Sequence, residues 1–198
     1  MRIKSARFAL SADGTETCPP AELPEFAFIG RSNVGKSSLL NMLCNQKQLA
    51  HVSGTPGRTR LINFFVVNES WCLVDLPGYG YAKAPKGERY RFNDFVADYL
   101  EFREGLRHVF VLIDSRLEPQ RIDIEFLAWL VECGPPFSLV FTKSDQVKKG
   151  RRQANEALFF ETLGEHFEGV PPHFITSAKT REGRHELLGW ISELSREG

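Results

Sequence analysis

The chain has 198 residues, of which 42% are hydrophobic and 25% are charged, values typical of one globular domain. Its 25 basic and 25 acidic side chains cancel, which excludes a global field for nucleic acid or an anionic membrane but not a local basic patch. The four cysteines form no CxxC pair, which favours free thiols in a reducing compartment. Without a long apolar run or a signal-peptide pattern in MRIKSARFAL, we expect a cytoplasmic protein with no membrane segment.

Short apolar runs rich in Val, Ile and Phe are the main structural signal. Near-continuous runs of this length are typical of strands buried on both faces of a parallel sheet. The predicted strands cover residues 25–29, 61–67, 71–74, 108–113, 137–141 and 173–175. Asn68-Glu69-Ser70 joins the second run to the third, which predicts a hairpin and therefore one antiparallel edge strand.

Helical segments alternate with these runs along the chain. The predicted helices cover residues 36–45, 88–104, 120–132, 151–167 and 182–195. This alternation predicts an α/β fold, with a mostly parallel six-stranded sheet and helices on both faces. We expect a single domain over 1–198, with its core at about 24–195. Residues 1–23 are expected to form an N-terminal extension that adds a strand or packs on the outside.

The strongest motif is G-x-x-x-x-G-K-[ST], which lies between the first predicted strand and the first predicted helix. It comprises Gly30, Arg31, Ser32, Asn33, Val34, Gly35, Lys36 and Ser37. The two glycines let the backbone approach a phosphate, and successive N–H groups form an anion nest ahead of a helix N-terminus. Lys36 would reach the β- and γ-phosphates, and Ser37 would ligate Mg²⁺. The motif predicts a nucleotide site without choosing between ATP and GTP.

Three polar segments follow other predicted strands, at the edge where open α/β sheets bind ligands. They are Asp75-Leu76-Pro77-Gly78, Thr142-Lys143-Ser144-Asp145 and Thr176-Ser177-Ala178-Lys179. Asp75 would hold Mg²⁺ through a water, and the Gly78 N–H would contact a γ-phosphate. The Asp145 carboxylate offers two acceptors to the adjacent N1–H and NH₂ donors of guanine, which adenine lacks. The Lys143 stem would cover the ring, and the third segment would bring a backbone N–H near guanine O6.

In this order, these motifs resemble the five G-motifs of the Ras-like P-loop GTPases, over about residues 24–195. More narrowly, the chain is similar to the EngB/YihA/YsxC group of the TrmE-Era-EngA-YihA-septin class. The pointers are T-P-G-R-T-R-L-I-N-F-F, D-L-P-G-Y-G-Y-A, and T-K-S-D in place of N-K-x-D. The resemblance implies a Ras-like G domain that binds GTP or GDP with Mg²⁺ and hydrolyses GTP. It also implies a nucleotide switch in large ribosomal subunit assembly, needed for normal cell division and septation.

The resemblance places a first switch within residues 47–60 and a second from Gly78 to about Glu88. The nucleotide contacts it implies around the first switch are Gly57, Arg58, Thr59, Arg60 and Leu61. Thr59 would be the second Mg²⁺ ligand and a catalytic residue alongside Lys36, with Thr55 as the alternative ligand.

Two positions bear on the rate of hydrolysis. Tyr79 stands where many Ras-like GTPases carry a water-orienting Gln, so we expect slow intrinsic turnover. Asn33 occupies the position of the phosphate-loop Asn of potassium-dependent members, which implies a K⁺ ligand, although it would also suit a cap of the loop turn. The alternative functions are a nucleotide-state binding switch with negligible turnover and another P-loop NTPase or kinase.

Two basic segments are hidden by the neutral total charge. The first contains Lys143, Lys148, Lys149, Arg151 and Arg152. The second, in and after the second switch, combines Lys83, Lys86, Arg89 and Arg91 with Tyr79, Tyr81, Tyr90 and Phe92. Basic and aromatic side chains together suit RNA, whereas a solvated helix face is the alternative interpretation. With the resemblance, they suggest a monomer whose partners are a guanine nucleotide and the large subunit, its precursor or rRNA.

Overall fold

The computed structural model of the chain describes residues 1–50, 61–79 and 94–196. The strands in these ranges are β1 (Ala6–Ala12), β2 (Glu25–Gly30), β3 (Ile62–Val67), β4 (Trp71–Asp75), β5 (Leu106–Asp114), β6 (Phe137–Thr142) and β7 (His173–Ile175). The helices are α1 (Lys36–Cys44), α2 (Asp94–Phe102), α3 (Arg121–Cys133), α4 (Lys149–Gly164) and α5 (Arg184–Leu194). Among the described residues, no helix combines the length and apolar character needed to span a membrane.

The strands form one sheet in the order β1-β3-β4-β2-β5-β6-β7. The run from β4 to β7 is parallel, whereas β3 is antiparallel to both β4 and β1. The predicted α/β class is confirmed, and all six predicted strands are present. The count of six is wrong, because β1 adds a seventh strand outside β3. The antiparallel strand therefore lies inside the sheet and not at its edge.

The hairpin turn between β3 and β4 explains how β1 is held. Asn68 and Glu69 both have positive φ, at 52° and 51°, the backbone of a tight hairpin turn. The Asn68 side chain accepts a hydrogen bond from the Lys4 N–H at 2.7 Å and donates one to the Arg2 carbonyl at 2.9 Å. The residue that makes the turn therefore also ties down the chain leading into β1, a contact that the strand pattern alone does not reveal.

Helices cover both faces of the sheet, as predicted. In β2, Phe26 and Phe28 belong to the core that includes α1 and α5, whereas Ala27 and Ile29 belong to the core that includes α2, α3 and α4. All four of these β2 side chains are fully buried. This burial on both faces explains the four consecutive apolar residues that follow Glu25 in β2.

The parallel pairing has one consequence for function. The carboxyl ends of β2, β4, β5, β6 and β7 all lie at the same edge of the sheet. Each predicted ligand-binding segment that the structure describes follows one of these ends, so the fold brings them together at that edge.

Candidate nucleotide-binding site

The phosphate loop, residues 30–37, connects β2 to α1 as the sequence predicts. Asn33 and Gly35 have left-handed backbone conformations, with φ of 64° and 104°. Glycine adopts this region at little cost, and asparagine does so more readily than other side chains. Gly35 is also the N-cap of α1, so the unpaired N–H groups of the first helical turn face the loop. This geometry favours an anion at the helix N-terminus.

Lys36 and Asp75 lie side by side beneath the phosphate loop, with Nζ in contact with Oδ1. Their side chains are 13% and 8% exposed. Burial lowers the pKa of Lys36 to about 7, whereas a neighbouring anion favours the charged ammonium. A bound phosphate would act on Lys36 in the same direction as Asp75, so the site suits an anionic ligand.

The donor atoms also fit a magnesium ion shared with a nucleotide. Ser37 and Asp75 supply hydroxyl and carboxylate oxygens, the ligand type that Mg²⁺ prefers. Within the described residues, no group of three or more His, Cys, Asp or Glu side chains could hold a metal ion. Mg²⁺ does not require such a group, because it takes most of its ligands from water and substrate phosphates.

The loop that follows β4 packs directly on the phosphate loop. A Cβ placed on Gly78 would lie 2.7 Å from the Gly30 carbonyl oxygen and 3.4 Å from the Ser32 nitrogen. Any side chain at this position would therefore push the two loops apart. The glycine is needed for this close approach, which puts the backbone of the D-L-P-G segment within reach of a phosphate.

Two consecutive residues at the end of β6 bind two consecutive carbonyls of the phosphate loop. The Thr142 hydroxyl donates to the Val34 carbonyl at 2.6 Å. The Lys143 ammonium donates to the Asn33 carbonyl at 2.5 Å. Thr142 stands where the commoner N-K-x-D motif has an asparagine. It has no side-chain amide, but its hydroxyl still joins the base-reading segment to the phosphate loop.

The T-K-S-D and S-A-K segments are tied to each other as well. The Ser177 hydroxyl donates to Asp145 Oδ1 at 2.6 Å, and the Ser177 Oγ accepts from the Thr180 N–H at 3.0 Å. The Ser144 N–H donates to the Thr176 carbonyl at 3.1 Å. These bonds orient the Asp145 carboxylate, which the sequence proposes as the reader of the base.

These segments surround one cavity of about 650 Å³ beside α1. Its lining includes Gly35, Ser38, Leu39, Thr142, Lys143, Asp145, Thr176, Ala178 and Lys179. The lining thus joins Gly35 of the phosphate loop to polar residues of the T-K-S-D segment, a combination that suits a nucleotide.

Sequence reasoning missed Asp114, the last residue of β5. Its Oδ2 accepts from Lys143 Nζ at 2.8 Å and from Arg116 Nη2 at 2.8 Å. Burial alone would raise the pKa of Asp114, but the hydrogen bonds from Arg116 and Lys143 outweigh it and hold the pKa below its usual value. Asp114 therefore fixes the lysine whose stem would cover the base. Its position directly after an apolar run, like that of the other site residues, was the available signal.

Several predicted site residues lie outside the described ranges. They are Gly57, Arg58, Thr59 and Arg60, with the alternative ligand Thr55. Leu61 is described and is 39% exposed, directly before β3. Most of the basic and aromatic residues of the second switch, from Tyr81 to Phe92, also lie outside these ranges.

A strand, a G-x-x-x-x-G-K-S loop and a helix, with D-L-P-G and T-K-S-D at the same sheet edge, define the class of P-loop GTPases. A family model described as "50S ribosome-binding GTPase" matches residues 25–143. A "Probable GTP-binding protein EngB" of Bacteroides thetaiotaomicron is 51% identical over 197 residues, which cover 100% of this chain and 98% of that protein. One from Flavobacterium psychrophilum is 50% identical over 198 residues, covering 100% and 97%.

The fold agrees with the same assignment. A crystal structure described as a probable GTP-binding protein engB is 25% identical, with a TM-score of 0.69 over 88% of this chain and 100% of that one. The chain belongs to the EngB family of GTP-binding proteins, and it is accordingly a GTPase.

The Thr142 hydroxyl provides a test of how the two loops are coupled. Thr142→Val keeps the shape but leaves the Val34 carbonyl without its donor, whereas Thr142→Ser keeps the hydroxyl. We expect Thr142→Val to weaken binding of a fluorescent GDP analogue by about tenfold, the cost of a buried unpaired group. Thr142→Ser should bind within about twofold of the wild type, since the donor is kept. Equal affinities for the Val variant and the wild type would contradict the coupling.

Proposed function

We propose that the chain is a slow GTPase that acts as a nucleotide-dependent switch in large ribosomal subunit assembly, needed for normal cell division and septation. The observation that carries the nucleotide part is a cavity lined by Gly35 of the phosphate loop and by residues of the T-K-S-D and S-A-K segments. We propose that residues 1–198 act as one G domain and as a monomer in the cytoplasm. The four free cysteine thiols support a reducing compartment.

In this proposal, the site works by positioning and charge stabilisation. Lys36 and the loop N–H groups bind the β- and γ-phosphates, and the Gly78 N–H meets the γ-phosphate. Ser37 and Thr59 would ligate Mg²⁺, and Asp75 would hold it through a water. The ion supplies positive charge to the transferring phosphoryl group. Of the residues in these roles, Lys36, Ser37, Asp75 and Gly78 lie in the described ranges, at the carboxyl edge of the sheet.

Slow turnover is supported by the surroundings of Tyr79. Its side chain is 3% exposed, and its hydroxyl donates to Asp123 Oδ1 at 2.8 Å. A hydroxyl used in this way does not orient an attacking water. The same observation favours the alternative of a binding switch with negligible turnover, and measured turnover in the presence of potassium and ribosomal particles separates the two.

Base recognition is tested by changing Asp145. Xanthine has a carbonyl in place of the exocyclic amine of guanine, so an amide at position 145 would pair with it through its own NH₂. We expect Asp145→Asn to lose GDP affinity by at least about tenfold and to gain xanthosine diphosphate affinity by a similar factor. Competition titrations against a fluorescent nucleotide measure both. A wild-type preference for ATP would instead support the kinase or ATPase alternative.

The proposed potassium site is tested by the choice of salt. If Asn33 ligates K⁺, the ion adds positive charge near the transition state, and GTP hydrolysis should be about tenfold faster or more in KCl than in NaCl at equal ionic strength. Asn33→Gly keeps the left-handed backbone and the carbonyl that Lys143 binds, but it removes the side chain amide. This variant should hydrolyse GTP equally in both salts. Equal wild-type rates would leave Asn33 as a cap of the loop turn.

Ribosome binding is supported by the description of the matching family and by an exposed basic surface. Lys148, Lys149 and Arg151 are exposed around the start of α4, near the site edge. The predicted five-residue cluster is smaller than its sequence suggests. Lys143 is paired with Asp114, and Arg152 lies between Glu156 and Glu182 at 3.3 and 3.5 Å. The remaining three side chains form a surface suited to a phosphate backbone.

Nucleotide-dependent cosedimentation with large ribosomal subunits tests the partner. We expect binding with a nonhydrolysable GTP analogue to exceed binding with GDP by about tenfold, a typical allosteric coupling. The triple variant Lys148→Glu, Lys149→Glu and Arg151→Glu should lose most of this cosedimentation, because the basic surface becomes acidic.

The matched control carries the same change in net charge at the opposite edge of the sheet. It is the triple variant Arg2→Glu, Lys4→Glu and Arg107→Glu, all at exposed positions. We expect it to cosediment like the wild type. Equal losses in both triple variants, or no wild-type cosedimentation in any nucleotide state at low salt, would contradict the proposed surface.

A further inference from the structure

A buried carboxylate outside every nucleotide motif contacts both the phosphate loop and the segment that follows β4. Asp123, on the first turn of α3, is 2% exposed. Its Oδ1 accepts a hydrogen bond from the Tyr79 hydroxyl at 2.8 Å and lies 3.1 Å from Arg31 Nε. Arg31 belongs to the phosphate loop, and Tyr79 directly follows the glycine of D-L-P-G.

Such a carboxylate is costly to bury without partners. Burial raises the pKa of Asp123 to about 6, while the Arg31 charge and the hydrogen bond from Tyr79 oppose that shift. The two partners therefore stabilise the charged form, and removing either one would weaken the hold on the other.

Tyr79 is fixed by its ring as well as by its hydroxyl. The ring stacks on Phe126 of α3, with centroids 4.2 Å apart and planes 18° apart. Phe126 itself is 1% exposed, so this part of α3 is a rigid support. The backbone of Gly78, one residue earlier, is consequently anchored to α3.

The two residues held by Asp123 lie on either side of a tight backbone contact. Arg31 directly follows Gly30, and Tyr79 directly follows Gly78. The Gly30 carbonyl and the Gly78 α-carbon are so close that a Cβ on Gly78 would lie 2.7 Å from the oxygen. One carboxylate thus sets the distance between the phosphate loop and the segment proposed to meet the γ-phosphate.

We propose that Asp123 is a positioning residue for GTP hydrolysis, which acts through Tyr79 and Arg31 to hold the Gly78 N–H against the phosphate loop. This inference rests on the proposed role of Gly78 in meeting the γ-phosphate. It assigns Tyr79 an anchoring role in place of the water-orienting role of the Gln found at this position in other GTPases. Hydrolysis therefore depends on α3, which carries no nucleotide motif.

We call the contacts of Asp123 with Arg31 and Tyr79 the clamp. Its position predicts which ligand it affects. GDP has no γ-phosphate, and its base and β-phosphate would be bound by Asp145, Lys143 and Lys36, none of which is a polar partner of Asp123 in the described contacts. Loosening the clamp should therefore change GTP turnover and the preference for a GTP analogue over GDP, with little effect on GDP affinity itself.

The test compares Asp123→Asn and Tyr79→Phe with Glu132→Gln, which changes an exposed carboxylate on the same helix. We expect Asp123→Asn to lower kcat by about tenfold and the ratio of GTP-analogue to GDP affinity by a similar factor, since misplacing one transition-state donor has effects of this size. GDP affinity should stay within about twofold, because its contacts are kept. Glu132→Gln should match the wild type in all three measurements.

Tyr79→Phe keeps the stacked ring and removes only the hydroxyl. It therefore tests the hydrogen bond to Asp123 without a large packing change. Its effect should be in the same direction as that of Asp123→Asn, and the double variant should lose less than the two single variants combined, because both weaken the contact between Tyr79 and Asp123. Unchanged kcat and analogue-to-GDP ratio in Tyr79→Phe would overturn the proposal. Equal losses of GTP-analogue and GDP affinity in both variants would also overturn it, since that is the result of a purely structural role.

The proposed GTP turnover and the proposed role of Asp123 can fail independently of each other. If the wild type does not hydrolyse GTP in any salt, the proposed turnover is wrong. The clamp is then decided by the analogue-to-GDP ratio in Tyr79→Phe, where a fall supports it and an unchanged ratio overturns it.

Discussion

The site depends on how the phosphate loop is held from behind. A loop that turns its N–H groups toward an anion directs some of its carbonyls elsewhere, and these need donors when they are buried. Here the carbonyls of Val34 and Asn33 accept from Thr142 and Lys143, two neighbours at the end of β6, just before the proposed base reader. The end of β6 and the short segment after it therefore support both the phosphate loop and the proposed base reader.

A second layer of charges supports this arrangement. Asp114 fixes Lys143, Glu182 accepts a hydrogen bond from Ser144 at 2.5 Å, and Asp123 holds Arg31 and Tyr79. None of these carboxylates belongs to a nucleotide motif. Each one binds a residue that does, so the precision of the site comes from polar groups placed on rigid elements behind it.

The sequence could predict residues that combine a distinctive chemistry with a position at the end of an apolar run. The phosphate loop, D-L-P-G, T-K-S-D and S-A-K all do so, and the structure describes each at the expected strand end. Asp123 was missed because its partners come from distant parts of the chain. It lies one turn before Phe126 on the apolar face of a predicted helix, where an acidic residue is itself a signal. The sequence alone does not decide strand β1, because an edge strand with several exposed positions lacks a continuous apolar run.

The pairing of β1 with β3 also bears on how the two predicted switch segments could communicate. The β3–β4 hairpin joins the end of the first to the start of the second, and in principle it could slide along its neighbours. The smallest shift that keeps every side chain on its own face is two residues. Because β3 is paired on both sides, such a shift would disrupt two ladders and the Asn68 bonds to the N-terminal segment together. The hairpin is therefore held in one register, and a signal between the two predicted switch segments would have to use another route, such as the nucleotide or α3.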